Sequence, residues 1–391
     1  MKIGFLGPAE PFRGGIAQFL HNMADELSEK EEIIVFTFIK QYPKLFFPGK
    51  EQTEKTEKNH NYPILRIVTP YNLLTWKKAA KSIAQHGINH LIIKYWIPFF
   101  CPCYTFIIKY LKKHTNIKIH ILCHNLEYHE KWFFSEVLLK KMVLKSDSII
   151  VLSDNVLGSW KKLNINNIKI IKLFHPLYKI DSEKPSKNSS LKIILPTETV
   201  KLKQETEISA IEKRRCVLFI GFIKYYKGLD IFLKSIPLVS ERLSDIQFII
   251  AGEVYGSFQK YDEIIKTFGS KYNIIFNKKY VTIEEIPHYF SIADVVIVPY
   301  RSATQSGIIQ LAYSFKKPVI ASDILGLREM VLENRTGLLF EKENYQDLAE
   351  KIIRFFQLFE NKDFTDEINE YNKQFTWEKF TNDLLFSLNS F

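Results

Sequence analysis

Short apolar runs recur along the first half of the chain and alternate with segments whose apolar residues have helical spacing. The first run, KIGFL, begins almost at the first residue and is followed by a glycine-bearing loop and the helical pattern IAQFLHNMADEL. Strands that alternate with helices predict a parallel sheet with crossover helices, and therefore an α/β domain. The further strands predicted in this half are Ile33–Ile39, Ile64–Val68, Leu91–Ile93, Ile117–Cys123 and Ser148–Leu152.

A polar stretch from Asp181 to about Arg215 interrupts this rhythm and indicates a linker. The run CVLFIGF then begins a second α/β series of the same kind. A chain of 391 residues is long enough for two such domains, at roughly 150 residues per domain. The strands predicted in this half are Val217–Phe222, Gln247–Ala251, Ile274–Asn277, Val295–Pro299 and Pro318–Ser322.

The pattern therefore divides the chain into four parts. Residues 1–180 form a first Rossmann-like domain, 181–215 a polar linker, and 216–365 a second Rossmann-like domain. Residues 366–391 have a helical pattern and follow the second domain in sequence. Because chains with two stacked α/β domains can return a terminal helix to the first domain, we expect this segment to pack there.

The stretch from Pro299 to Glu329 is the strongest candidate for binding chemistry. A buried strand end is followed by polar residues of the kind that cap helices, and then by an apolar helix. A helix that begins at a strand end directs unpaired N–H groups and a positive dipole toward a ligand, so phosphate is the natural guest. An ordinary strand-to-helix joint would have the same pattern. The polar residues are Ser302, Thr304, Gln305 and Ser306, before Gly307.

The charge of the chain narrows the possible partners. Fifty-four Lys and Arg residues against 43 Asp and Glu give a net charge of +11, which suits nucleic acid, anionic lipid or a phosphate-bearing substrate. No nucleic-acid motif is present, so we expect no nucleic acid partner. No apolar run is long enough to span a membrane and no signal peptide is recognisable, which predicts a cytoplasmic protein. The excess positive charge and the aromatic loops of the first half indicate reversible attachment to the inner face of the membrane.

The sequence predicts neither a cofactor nor a metal. Gly14 and Gly15 allow close backbone approach at a helix start, but their spacing is not the G-x-G-x-x-G of dinucleotide-binding folds. The four cysteines lack the spacing of a zinc site and are expected to be free, buried thiols.

A second group of candidates follows strand ends in the first half. His124 and Asn125 directly follow a predicted strand, where open α/β sheets place their ligands, although a loop histidine bonded to backbone is the simpler interpretation. Aromatic residues that include Trp96 crowd the loops nearby, either as loop packing or as sugar and lipid contacts. His175 marks a second edge of the expected cleft.

Several blocks in order resemble the family 4 glycosyltransferases. The second half contains GFIKYYKGLD, FIIAGE, VTIEEIPHYFSIADVVIVPY and KKPVIASDILGLREMVLENRTGLLF, and the first contains GFLGPAEPFRGGIAQF, CHNLEYHE, IIVLSDN and HPLY. The resemblance implies two facing Rossmann-like domains, the GT-B fold, with acceptor on the first and a nucleotide-sugar donor on the second. It also implies transfer with retention and without metal, which agrees with the lack of a D-x-D pair.

The resemblance also implies roles for single residues. His124, Lys224 and Lys227 are the catalytic candidates, with the lysines against the donor diphosphate and His124 near the sugar. Solvated lysines in a lysine-rich chain are the alternative for either lysine alone. The donor-binding candidates besides the lysines are Gly15, Gly252, Thr304, Gln305, Ser306, Gly307 and Ile308, and the acceptor-side candidates are Arg13, Gly14, Trp96 and Asn125.

The chain departs from the family pattern at three positions. Phe222 stands where the family often has Arg, while Ala303 and Leu311 stand where it usually has two glutamates. The predicted function is sugar transfer from a nucleotide sugar to a glycan or lipid-linked acceptor in surface polysaccharide biosynthesis. The missing glutamates leave a non-catalytic nucleotide-binding subunit as the alternative, and a nucleotide-sugar epimerase on the same architecture as a weaker one.

Overall fold

The computed structural model divides the chain into two compact units. One unit comprises Met1–Pro176 together with Phe375–Phe391, and the other comprises Leu177–Gln374. The predicted linker lies outside the described residues except for its last member, Arg215. The structure describes residues 1–43, 52–53, 59–124, 135–163, 165, 168–179, 215–257, 259–268, 271–358 and 362–391.

The first unit contains a seven-stranded sheet in which every neighbouring pair is parallel, in the order β3-β2-β1-β4-β5-β6-β7. The chain order reverses between β1 and β4, so the carboxyl ends of these two strands border the crevice in which such sheets bind ligands. The strands are β1 Lys2–Leu6, β2 Glu32–Phe38, β3 Ile64–Val68, β4 His90–Tyr95, β5 Lys118–Cys123, β6 Ser148–Val151 and β7 Lys169–Lys172.

Apolar faces on the helices of this unit bury both sides of the sheet. For example, α1 buries Phe19, Leu20 and Met23. The start of α2 is capped by Asn72, whose side-chain oxygen accepts a hydrogen bond from the Leu74 N–H at 3.1 Å. The helices are α1 Gly15–Ser28, α2 Leu73–Gln85, α3 Cys101–His114, α4 Ser135–Val143 and α5 Asp154–Lys162.

The second unit repeats the same arrangement with six parallel strands in the order β10-β9-β8-β11-β12-β13. Here the order reverses between β8 and β11. The strands are β8 Arg215–Ile220, β9 Ile246–Ala251, β10 Ile274–Asn277, β11 Val295–Val298, β12 Val319–Ser322 and β13 Gly337–Phe340. The helices are α6 Leu229–Arg242, α7 Gln259–Phe268, α8 Ile286–Ile292, α9 Gly307–Ser314, α10 Leu325–Arg328, α11 Tyr345–Leu358 and α12 Thr365–Asn372.

The last helix, α13 (Trp377–Leu388), belongs to the first unit although it follows the second in sequence. Its buried face packs on α1, where the ring centroids of Trp377 and Phe380 lie 5.2 and 5.9 Å from that of Phe19. Phe380 is completely buried, so this contact is part of the core of the first unit.

The predicted fold class, two Rossmann-like α/β domains, is confirmed. The four cysteines are free and buried, as predicted. Two edge strands, β7 and β13, were not predicted, and in β7 only Ile171 is buried.

Candidate functional site

In the second unit, the end of β8, the side chain of Lys227 and the first turn of α9 lie together at the point where the strand order reverses. Gly221 follows β8 at φ 116°, a conformation that favours glycine. A Cβ on Gly221 would lie 3.1 Å from Lys227 Nζ and 3.2 Å from Ile308 Cδ1. The ammonium group of Lys227 therefore lies against the backbone at the end of β8, next to the first turn of α9.

The amino terminus of α9 is built as the sequence predicted. Ser306 is its cap residue, and its hydroxyl accepts a bond from the Ile309 N–H at 3.4 Å. In the first turn, the N–H groups of Gly307 and Ile308 have no acceptor within the helix. The N–H of Ser306, which we also expected to be available to a ligand, instead lies 3.3 Å from the sulfur of Met330.

Lys227 is a buried cation whose environment favours an anionic guest. It is only 8% exposed, and its Nζ lies 5.1 Å from the ring centroid of Tyr300. Burial lowers the pKa of Lys227 from its ordinary value, since the charged form loses hydration. No carboxylate pairs with Lys227 among the residues that the structure describes. An anion next to Nζ would therefore compensate a charge that the described residues leave unbalanced.

The other donor-side candidates are distributed around this point. Lys224 precedes the 3₁₀ turn Tyr225–Lys227, and its Nζ lies 5.2 Å from the ring centroid of Tyr255. Gly252 follows β9, and a Cβ there would lie 2.0 Å from the carbonyl oxygen of Gly221. Thr304 is 5% exposed and Gln305 is half-buried, so the loop before α9 is largely packed.

Tyr178 is a neighbour of this site that the sequence did not indicate. A Cβ on Gly307 would lie 2.7 Å from the Tyr178 hydroxyl, which places the hydroxyl at the start of α9. Burial raises the pKa of Tyr178 to about 12, so the group stays protonated and can donate a hydrogen bond. The chain has 19 tyrosines, and no signal in the sequence distinguishes Tyr178 from the others.

In the first unit, a buried cluster lies at the corresponding strand ends. His124 follows β5 and is 8% exposed, and its ring centroid lies 4.8 Å from that of Phe19 and 5.9 Å from that of His175. Lys94, near the end of β4, is 1% exposed, and its Nζ lies 3.5 Å from the Phe19 centroid. No feature of the sequence singles out Lys94, which lies inside an apolar strand.

Burial disfavours the charged form of all three basic groups of this cluster, and Lys94 adds to this effect at both histidines. Burial, and then Lys94 and His175, lower the pKa of His124 well below its usual value. Burial lowers the pKa of His175 to about 4, although its Nδ1 donates to the Pro176 carbonyl at 2.8 Å. Burial also lowers the pKa of Lys94 well below its ordinary value. At neutral pH the two imidazoles are neutral, so His124 has one ring nitrogen that accepts a proton or hydrogen bond.

The acceptor-side candidates are less uniform. Trp96 is 7% exposed, and its indole N–H donates to the Tyr42 hydroxyl at 3.2 Å while its ring packs 4.2 Å from Phe100. Its contacts are thus those of core packing. Gly14, at φ 104°, precedes α1 and Gly15 begins it, while the Arg13 N–H donates to the Gln52 carbonyl at 3.1 Å. Asn125 lies outside the described residues.

Glu10, His21 and His60 bring three possible metal-ligand atoms within 4.8 Å of one another. The two imidazoles are stacked, with centroids 4.5 Å apart and planes inclined by 13°. Lone pairs in two parallel planes do not converge on one ion, and His21 Nε2 already accepts the Glu10 N–H at 2.8 Å. This group is therefore suited to hydrogen bonding within the protein, not to metal ligation.

Comparison with known proteins identifies a similar family and similar folds. Residues 214–357 match the family model of the glycosyl transferases group 1. An uncharacterized glycosyltransferase of Methanocaldococcus jannaschii is 29% identical over 163 residues, which are 41% of this chain and 44% of that protein. The chain spans less than half the length of the first curated relatives that it matches.

Solved structures of several proteins match the whole chain. Sucrose-phosphate synthase from Thermosynechococcus elongatus has a TM-score of 0.74 at 15% identity, with 100% of both chains covered. Anabaena HepE in complex with UDP-glucose has a TM-score of 0.72 at 16% identity, also with 100% of both chains covered. Residues 214–357 thus resemble the group 1 glycosyl transferases, and the fold of the chain is of the GT-B class.

The low pKa of His175 predicts that the first unit loses stability in mild acid. Unfolded His175 takes its proton near pH 6.5, whereas the folded residue takes it only near pH 4, so the unfolded state binds more protons between these values. Stability contributed by the neutral imidazole is present above pH 6.5 and is lost as the pH falls toward 4. From about pH 7 to about pH 5, the share of His175 in the free energy of unfolding is about 2 kcal/mol.

The measurement is urea unfolding of the whole protein at pH 7 and at pH 5, followed by circular dichroism. His175→Gln is expected to reduce the acid-induced loss by about that share, while His114→Gln, which changes an exposed histidine of α3, leaves the loss unchanged. An equal acid-induced loss in wild type and His175→Gln would show that His175 is not buried as a neutral imidazole.

Proposed function

We propose that the chain transfers a sugar from a nucleotide-sugar donor to a glycan or lipid-linked acceptor in surface polysaccharide biosynthesis. The second unit binds the donor and the first unit binds the acceptor. Transfer proceeds with retention and without a bound metal. The observation that carries the proposal is the buried Lys227 beside the amino terminus of α9, with which no carboxylate of the described residues pairs.

The donor assignment is supported by the chemistry of this position. A nucleotide sugar presents a diphosphate, and here a buried ammonium and the N–H groups of Gly307 and Ile308 lie at one strand end. Lys224, one turn away, adds a second cation. The similar Anabaena HepE structure contains UDP-glucose, so uridine nucleotides are the first probes to use.

The same groups account for the proposed catalysis. When the bond between sugar and diphosphate breaks, negative charge develops on the leaving diphosphate and the sugar becomes oxocarbenium-like. Lys227 and the first turn of α9 are already oriented toward the position of that charge, so they stabilise the transition state without reorganising. Burial strengthens the effect because less water screens it. Thr304 and Gln305 precede this turn and are proposed to contact the sugar hydroxyls.

The role proposed for His124 is to position the sugar by a hydrogen bond to one of its hydroxyls. Its imidazole is neutral, so it can accept a hydrogen bond from a hydroxyl. Phe19 fixes the ring by an edge contact with an interplanar angle of 90°. A ring that is held in place does not lose rotational freedom when substrate binds, which favours a positioning role.

A non-catalytic nucleotide-binding subunit is the second candidate function. It is favoured by Ala303 and Leu311, which stand where the family usually has two glutamates. Such a subunit would hold a nucleotide at Lys227 and support a partner transferase without turnover.

We further propose that the first unit attaches reversibly to the inner face of an anionic membrane. None of the helices among the described residues is long and apolar enough to cross a bilayer. Leu73 and Leu74, in the first turn of α2, are 68% and 79% exposed, and Tyr71 just before them is 43% exposed. The lysines of the same helix, Lys77, Lys78 and Lys81, are exposed as well. We call these six residues the α2 patch.

The first prediction from this proposal concerns the diphosphate. Lys227→Ala is expected to weaken UDP binding by about 2 kcal/mol, or roughly thirtyfold, because it removes a charge-assisted contact. Binding of uridine, which has no phosphate, should change by less than about twofold. Calorimetry with both ligands measures the two effects. Lys266→Ala, which removes an exposed lysine of α7, is the matched control. Equal losses for UDP and uridine would refute the assignment of Lys227.

The second prediction concerns the α2 patch. Binding to vesicles is expected to rise with anionic lipid and to fall with salt. Replacing its three lysines with Gln should weaken binding by about 3 kcal/mol, or roughly a hundredfold, at about 1 kcal/mol per basic residue. Leu73→Ser with Leu74→Ser should weaken it too, through lost apolar contact.

Vesicle flotation provides the measurement. Phe386→Ser is the matched control, because Phe386 is a large apolar residue that is 82% exposed on a different helix, α13. Equal recovery of the wild-type protein with neutral and anionic vesicles would contradict the membrane proposal.

A further inference from the structure

Arg301 connects the two loops that carry the candidate diphosphate ligands. It lies two residues after Pro299, at the start of the loop that leads to α9. Its Nη1 and Nη2 donate to the two carboxylate oxygens of Asp230 at 2.9 and 2.8 Å, and its Nε donates to Glu343 at 2.9 Å. Nη1 also donates to the carbonyl of Tyr225 at 2.9 Å. The guanidinium thus bonds α6, the loop before α11 and the turn Tyr225–Lys227.

The backbone of Arg301 holds the same turn. Its N–H donates to the Tyr226 carbonyl at 2.7 Å, and its guanidinium carbon lies 4.3 Å from the ring centroid of Tyr225. Gly228 closes the turn at φ 68°, where a Cβ would lie 1.9 Å from the Pro299 carbonyl oxygen. The turn is therefore seated directly on the end of β11, and Lys227 is its last residue.

The guanidinium is not itself arranged as a phosphate ligand. It donates to the two carboxylates of Asp230 and Glu343 and to the Tyr225 carbonyl, and the two carboxylates offset its single positive charge. The side chain of Asp230 is 4% exposed and that of Arg301 is 14% exposed, so this ion pair is nearly buried. A diphosphate would meet net negative charge here, in contrast to the uncompensated charge of Lys227.

We infer that Arg301 is a positioning residue that holds Lys227 against the first turn of α9, so that both meet one diphosphate. The inference rests on the proposed function. Arg301 bonds Tyr225 and Tyr226 of the turn on one side, and through its own backbone continues into the loop before α9 on the other. The planar fork that bonds both oxygens of Asp230 fixes this geometry, and a lysine cannot reproduce it.

The test measures the ratio of UDP to uridine affinity by calorimetry in a double-mutant cycle. Arg301→Lys keeps the charge but loses the fork, and is expected to lower the ratio by about fivefold. In a Lys227→Ala background the same change should alter the ratio by less than about twofold, because residues that act through one another are not additive. Glu343→Gln, which breaks a pair whose carboxylate is 52% exposed, should change it by less than about threefold.

Asp230→Asn distinguishes positioning from direct contact by the sign of its effect. If Arg301 contacted the diphosphate, removing the carboxylate beside it would raise UDP affinity. If Arg301 acts through Lys227, weakening the fork lowers the UDP preference, as in Arg301→Lys. Thermal unfolding of each variant without ligand verifies that it is folded, and ADP and GDP with their nucleosides replace UDP if the wild type prefers them.

The outcomes separate the two claims. A reduced ratio in Arg301→Lys and Asp230→Asn that disappears in the Lys227→Ala background supports the inference. An unchanged ratio in Arg301→Lys, equal effects in both backgrounds, or a raised ratio in Asp230→Asn overturns it while the donor site stands. A wild-type protein that prefers no nucleoside diphosphate over its nucleoside overturns the proposed function and, with it, the inference.

Discussion

The proposed chemistry depends on one uncompensated positive charge in a buried place. Lys227 is held against Gly221 and the first turn of α9, and no described carboxylate balances it. Burial lowers the pKa of Lys227, because a charged ammonium loses hydration there and this costs free energy. A bound diphosphate would offset that free energy by pairing with the ammonium. The pairing would strengthen in the transition state, when further negative charge develops on the diphosphate. Gly221 belongs to the same arrangement, since a Cβ there would lie 3.1 Å from Lys227 Nζ.

The first unit has a basic cluster at the corresponding strand ends, but with a different consequence. Lys94, His124 and His175 are buried beside one aromatic ring, and their pKa values all fall. Neutral imidazoles suit contacts with sugar hydroxyls, whereas the charge of Lys227 suits a diphosphate. Two sheets of the same topology thus present different chemistry at their carboxyl ends, in line with the donor and acceptor roles that we propose.

Much of the fold could be predicted because apolar periodicity and strand spacing are local features. The same holds for the cap at Ser306 and the position of Lys227 after a strand end. Contacts between distant residues could not be predicted. Arg301 and Asp230 are 71 positions apart in the sequence. Trp96 follows a strand end, as a ligand-facing aromatic would, but it contacts Tyr42 and Phe100 in the structure. Lys94 was hidden because one lysine in an apolar strand does not change the strand's pattern.

Turnover of the donor distinguishes an enzyme from a nucleotide-binding subunit and so tests the central claim most directly. The measurement follows consumption of the best-bound nucleotide sugar, with acceptor fractions from the protein's own source. We predict transfer by the wild type, with a product of retained anomeric configuration. His124→Ala should lower the rate more than the donor affinity. Tight binding of a nucleotide sugar with neither transfer nor hydrolysis would contradict the account and favour the binding subunit.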